Sequence, residues 1–124
     1  MNKTSAITGG AGILLAGVVA WAVFFQGMPK AGAYDAFAQC LTEKGVVMYG
    51  AEWCPHCQNQ KKMFGSSFQF IKYVQCPLDP KKCLEEKIEG YPTWKFPDGR
   101  MFPGELKLEE LSRESSCPLV QPSN

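Results

Sequence analysis

The stretch Val46-Val47-Met48-Tyr49-Gly50-Ala51-Glu52-Trp53-Cys54-Pro55-His56-Cys57 decides how this chain folds. Its first part is apolar without polar alternation and carries β-branched and aromatic residues, the pattern of a short strand buried on both faces. Its last part sets two cysteines three positions apart, with Pro55 at the first position of a helix, where a missing N–H costs nothing. A buried strand therefore delivers a Cys-x-x-Cys pair to a helix N-terminus. There the partial positive charge and free N–H groups favour a thiolate on the first cysteine, and the two sulfurs can close a small disulfide. Cys54 is the nucleophile that this placement predicts, and Cys57, one turn in, the resolving thiol. His56 can stabilise the Cys54 thiolate further by a hydrogen bond or a positive charge. A stabilised thiolate favours the dithiol form, which makes the disulfide an oxidant.

Upstream of this stretch, Asp35 caps a helix over 35–44, with Tyr34, Phe37, Ala38 and Leu41 at helical spacing and Gly45 as its left-handed stop. Downstream, the helix that opens at Pro55 runs through Met63-Phe64 to Gly65. Phe70 to Val74 reads as a second strand, Pro77, Asp79 and Pro80 as a loop, and Lys81 to Glu89 as a short helix ending at Gly90. Thr93 to Phe96, the turn Pro97-Asp98-Gly99-Arg100, and Met101-Phe102 read as a β-hairpin. Leu106, Leu108 and Leu111 start a last helix that ends near Cys117-Pro118. Strand–helix–strand forces a parallel pair with a right-handed crossover, and the hairpin adds antiparallel strands, so an α/β fold with a central mixed sheet of about four strands flanked by helices is expected.

The chain has 124 residues, 13 Lys and Arg against 12 Asp and Glu, and a formal net charge of +1. That balance removes the electrostatic attraction on which nucleic-acid binding rests. Lys3 is the one charged side chain before Lys30. Between them, Ala6 to Phe25 (AITGGAGILLAGVVAWAVFF) would span, as a helix, about the 30 Å of a bilayer's hydrocarbon core. Residues 1–30 are thus expected to be a transmembrane anchor and linker, 34–117 a single domain and 118–124 a flexible tail. A cleaved signal peptide is the alternative, with small residues at Ala31-Gly32-Ala33 for the peptidase. Both export the domain. All six cysteines follow the apolar segment, which suits an oxidising compartment, the periplasm or the cell exterior. No cofactor and no metal are expected. A zinc or copper site at Cys54, His56 and Cys57, as in a non-enzymatic metal-handling tether, lacks its second ligand pair.

Trp53-Cys54-Pro55-His56-Cys57, Gly90-Tyr91-Pro92-Thr93 and the element order together resemble the thioredoxin superfamily over about residues 35–117. Met48 to Ala51, Trp53 to Cys57, Gln58 to Lys61 and Gly90 to Trp94 are more closely similar to the thioredoxin-like domains associated with bacterial vitamin K epoxide reductase homologues. The resemblance implies that Pro92 is cis and lies against the Cys-x-x-Cys, and that the backbone of Tyr91 is a docking edge for substrate peptide, beside Trp53 and Thr93. It implies protein thiols as substrates, and a vitamin K epoxide reductase-like or DsbB-like membrane partner that regenerates the disulfide. Met48 stands where thioredoxin has a buried aspartate, and the Pro-His dipeptide resembles the oxidising DsbA type. Both features point to oxidation or isomerisation of protein disulfides and count against a general reductase, with a membrane-tethered reductant of the cytochrome-maturation kind as the alternative. The other four cysteines admit three pairings. Helices flanking the sheet at both ends of the domain favour Cys40–Cys117, which leaves Cys76–Cys83 as a loop-pinning bridge or a second redox pair.

Overall fold

A computed structural model describes residues 31–120; the expected membrane segment at Ala6–Phe25 and the end of the tail, 121–124, lie outside the described residues. Helix α1 (Asp35–Glu43) buries Phe37, Ala38 and Leu41, the one-turn spacing that puts them on one face. Asp35 is the first helical residue and not the cap. Its carboxylate accepts the Gly32 N–H at 2.8 Å. Gly45, at φ 81°, turns the chain into strand β1 (Val47–Gly50), buried along its whole length. Helix α2 (Pro55–Phe64) follows, and Gly65, at φ 57°, ends it in a 3-10 segment, Gly65–Phe70.

Strand β2 (Tyr73–Gln75) lies parallel to β1, with Tyr73 opposite Met48. It starts later than the expected Phe70. Thr42, on α1, takes up the backbone there: its hydroxyl donates to the Phe70 carbonyl (2.7 Å) and accepts the Lys72 N–H (2.9 Å). Helix α3 (Pro80–Glu85) is capped by Asp79, whose carboxylate accepts the Lys82 N–H. It stops short of the expected Glu89 because Lys87 adopts φ 55° and the Ile88 N–H returns to the Cys83 carbonyl (2.9 Å). That return brings Ile88 against Cys76 and Cys83. Strands β3 (Thr93–Lys95) and β4 (Met101–Pro103) form the hairpin, and α4 (Leu108–Ser115) ends the fold.

The sheet has four strands in the order β2-β1-β3-β4, with β1–β2 parallel and the rest antiparallel. Alternation along β1 sends Met48 into one core with Phe37, Leu41, Cys57, Phe64, Trp94 and Leu111, and Val47 and Tyr49 into a second with Cys76 and Cys83. The sheet is therefore covered on both faces, by α1, α2 and α4 on one side and α3 on the other. Among the described residues no helix is long and apolar enough to cross a membrane.

Candidate active site

Cys54 is the residue that precedes the first turn of α2, in extended conformation, with Pro55 at the helix start. Its carbonyl accepts the Gln58 N–H (3.1 Å), so the backbone is committed to the helix while the sulfur sits at the helix head. Cys54 and Cys57 are both free thiols. Cys54 keeps 6% of its surface exposed and Cys57 none, so reagents reach the pair through Cys54. Burial pushes the Cys57 thiol up to about 11, and Cys54 adds to the rise, while a backbone hydrogen bond from Ala51 and the charge of Lys61 oppose it. At pH 7 Cys57 is then held as the thiol.

The Tyr91–Pro92 peptide bond is cis, and Pro92 is buried. This turn aims the Tyr91 carbonyl at the site, where the Cys54 thiol lies 3.6 Å from it. Trp53, 72% exposed, stands edge-on to the Tyr91 ring with centroids 6.2 Å apart. Thr93 is buried and donates its hydroxyl to the Gly90 carbonyl (2.8 Å), so Trp53 and Tyr91 are the side chains of the expected docking set that reach the surface. The exposed His56 ring meets Glu105, Nδ1 to Oε1 at 2.6 Å, and Asn59 reaches the same oxygen at 3.3 Å. Glu105 is a partner that no local motif announces, since it arrives from the loop between β4 and α4.

The structure joins Cys40 to Cys117 and Cys76 to Cys83, with Cα atoms 5.9 and 5.6 Å apart. The first bridge ties α1 to the segment after α4. The second closes the loop from β2 into α3 and lies in the second core.

Three groups near the pair escaped the sequence reading. Gln60, fully buried on α2, accepts the Trp94 indole N–H (3.1 Å) and the Leu106 N–H (2.8 Å) and donates to the Leu106 carbonyl (2.9 Å). Lys61 would be a solvated helix residue by its neighbours Gln60 and Lys62 alone. Instead it pairs with Glu52, lies over the rings of Tyr73 (4.3 Å) and Phe68 (5.3 Å), and keeps a side chain only 19% exposed. Tyr73, from β2, packs on the same core, and burial, with the neighbouring Cys57, Glu52 and Cys54, pushes its phenol up.

No protein-family model matches the chain. Over 95 residues it is 39% identical to a protein of Arabidopsis thaliana described as thiol-disulfide oxidoreductase LTO1. The chain is similar to a thiol-disulfide oxidoreductase. The match covers 69% of this chain and 25% of the relative, so the chain spans a quarter of the length of the protein it matches. Among solved structures it overlaps the NTD_N/C domain of the alkylhydroperoxide reductase AhpF of Enterococcus faecalis at a TM-score of 0.44 and 14% identity, over 72% of this chain and 45% of that one.

Proposed function

We propose that the chain is a membrane-anchored thiol–disulfide oxidoreductase of the thioredoxin superfamily, working outside the cytoplasm, that oxidises the thiols of protein substrates at Cys54. The observation that carries this reading is the asymmetry of the pair: Cys54 at the head of α2 beneath the Tyr91 carbonyl, and Cys57 wholly buried behind it. In the forward step a substrate thiolate attacks Cys54 Sγ of the Cys54–Cys57 disulfide. The substrate–Cys54 bond forms, the Cys54–Cys57 bond breaks, and its electron pair leaves on Cys57. A second substrate thiolate then displaces Cys54, which leaves the substrate oxidised and the chain a dithiol. Trp53 and Tyr91 supply the surface on which the peptide rests.

The similarity to a thiol-disulfide oxidoreductase supports the redox reading. The two closed bridges, Cys40–Cys117 and Cys76–Cys83, suit an oxidising compartment. The apolar run Ala6–Phe25 supports the anchor, and the resemblance to domains associated with vitamin K epoxide reductase supports a quinone-linked membrane reductase of that kind, or of the DsbB kind, as the electron acceptor. Met48 in place of a buried acid and the Pro-His dipeptide favour the oxidising direction. Cys57→Ser should trap mixed disulfides between Cys54 and its substrates in cells, and the pair's reduction potential should lie nearer −120 mV than about −270 mV. A potential at the thioredoxin end reverses the direction of flow, and the absence of any Cys54 adduct removes the function.

A further inference from the structure

Behind Cys57 the protein buries a hydroxyl that bonds to nothing. Tyr73 OH and Asp35 Oδ1 are the buried side-chain polar atoms among the described residues without a partner. Burying such a group unpaired costs free energy, so an orphan beside a reactive thiol asks for an explanation. A Cβ built on Gly50 would lie 2.6 Å from Cys57 Sγ and 3.2 Å from the Tyr73 hydroxyl oxygen. The sulfur and the hydroxyl therefore both crowd the space beside Gly50, at the end of β1, that a side chain there would fill. Met48, opposite Tyr73 in the sheet, contributes no ionisable group to it. The Lys61 ammonium lies 4.3 Å from the centre of the Tyr73 ring and is held there by Glu52.

We propose that the Tyr73 hydroxyl is the hydrogen-bond donor for the Cys57 thiolate, with the Lys61 ammonium, fixed by Glu52, as its countercharge. The proposal rests on Cys54 and Cys57 being the redox pair. The groups that face Cys57 are Cys54 and Lys61 from α2, Tyr73 from β2, and Glu52 from the loop between β1 and α2. Each turnover passes through this thiolate. In the oxidising direction it is the leaving group when substrate attacks Cys54. In the reverse step the Cys57 S–H bond breaks and its proton goes to solvent. Cys57 Sγ then bonds to Cys54 Sγ, and the substrate sulfur departs with the electron pair of the broken mixed disulfide. A thiol held near 11 by burial does neither readily without a donor in its pocket. The buried hydroxyl has no other partner to give up when it turns to the thiolate.

The test uses the reduced full chain and dithiodipyridine, which releases one thiopyridone when Cys54 is captured and a second when Cys57 closes the disulfide. Tyr73→Phe keeps the ring and removes the hydroxyl. The first release should stay within about twofold of the parent, while the second should slow about tenfold at pH 7 and remain slower at every pH up to about 9. Lys61→Met should slow the same second phase by about threefold and leave the first alone. A second phase in Tyr73→Phe that superimposes on the parent at every pH overturns the proposal. Should Tyr73→Phe lose its far-UV circular dichroism, Lys61→Met decides, and an unchanged second phase there overturns it equally. A parent that gives no first release refutes the redox pair itself, and is recognised before any variant is compared.

Discussion

His56 sits between two claims on its charge. The Cys-x-x-Cys places it where an imidazolium would stabilise the Cys54 thiolate, and the fold brings the Glu105 carboxylate to its Nδ1 at 2.6 Å. His56→Ser removes a group that favours the reduced state, so the potential of the pair should fall by about 30 mV, which for a two-electron couple is roughly 1.4 kcal/mol. Equilibration with a glutathione buffer measures it, and an unchanged potential would leave the helix terminus alone to set the poise. At this scale the sequence was informative where chemistry is local. Cys54, Pro55, His56 and Cys57 are consecutive, and their places at the helix head follow from spacing. Glu105, Tyr73 and the Lys61–Glu52 pair were not legible, because each acts across the fold on a residue distant in sequence or through a ring contact that no motif encodes.

The elements were legible in kind and order, from the buried run at β1, the proline at the head of α2 and the Asp-Gly turn of the hairpin. Their ends were not. β2 begins at Tyr73 because Thr42 holds the backbone at Phe70 and Lys72, and α3 ends early because Ile88 turns back to the second core. Both effects are tertiary, and no local propensity predicts them. What fixes α2 against the sheet is likewise invisible in its own sequence. Gln60 looks like one more polar residue of a surface helix, yet it binds the Trp94 indole on β3 and both backbone groups of Leu106. Gln60→Leu leaves the buried Trp94 indole N–H and the half-buried Leu106 backbone groups without their partner, and should cost about 1–3 kcal/mol in urea denaturation. Because α2 carries both cysteines, the loosened helix should also blunt the difference between the two in their rates of alkylation. A variant as stable as the parent would mean that water replaces the lost bonds.

Over the whole domain, the Cys40–Cys117 bridge encloses every strand and the reactive pair, with a sequence separation of 77. Closing a loop of that size restricts the unfolded chain by roughly 4 kcal/mol on the entropic account, against about 2 kcal/mol for the short Cys76–Cys83 loop. Cys40→Ser and Cys117→Ser should lower the thermal midpoint alike, the double variant should be no worse than either single, and Cys54 should stay reactive in all three. Additive losses in differential scanning calorimetry would show that the two residues contribute separately. The same bridge has a mechanical meaning. In a chain held at one end before Cys40 and drawn from the other beyond Cys117, tension passes from one sulfur to the other and bypasses everything between. About 270 Å of contour, at roughly 3.5 Å per residue, is thereby locked out of extension. The Cys-x-x-Cys can pass through its thiol and disulfide states on a tether under strain without being drawn out of line with the rest of the chain.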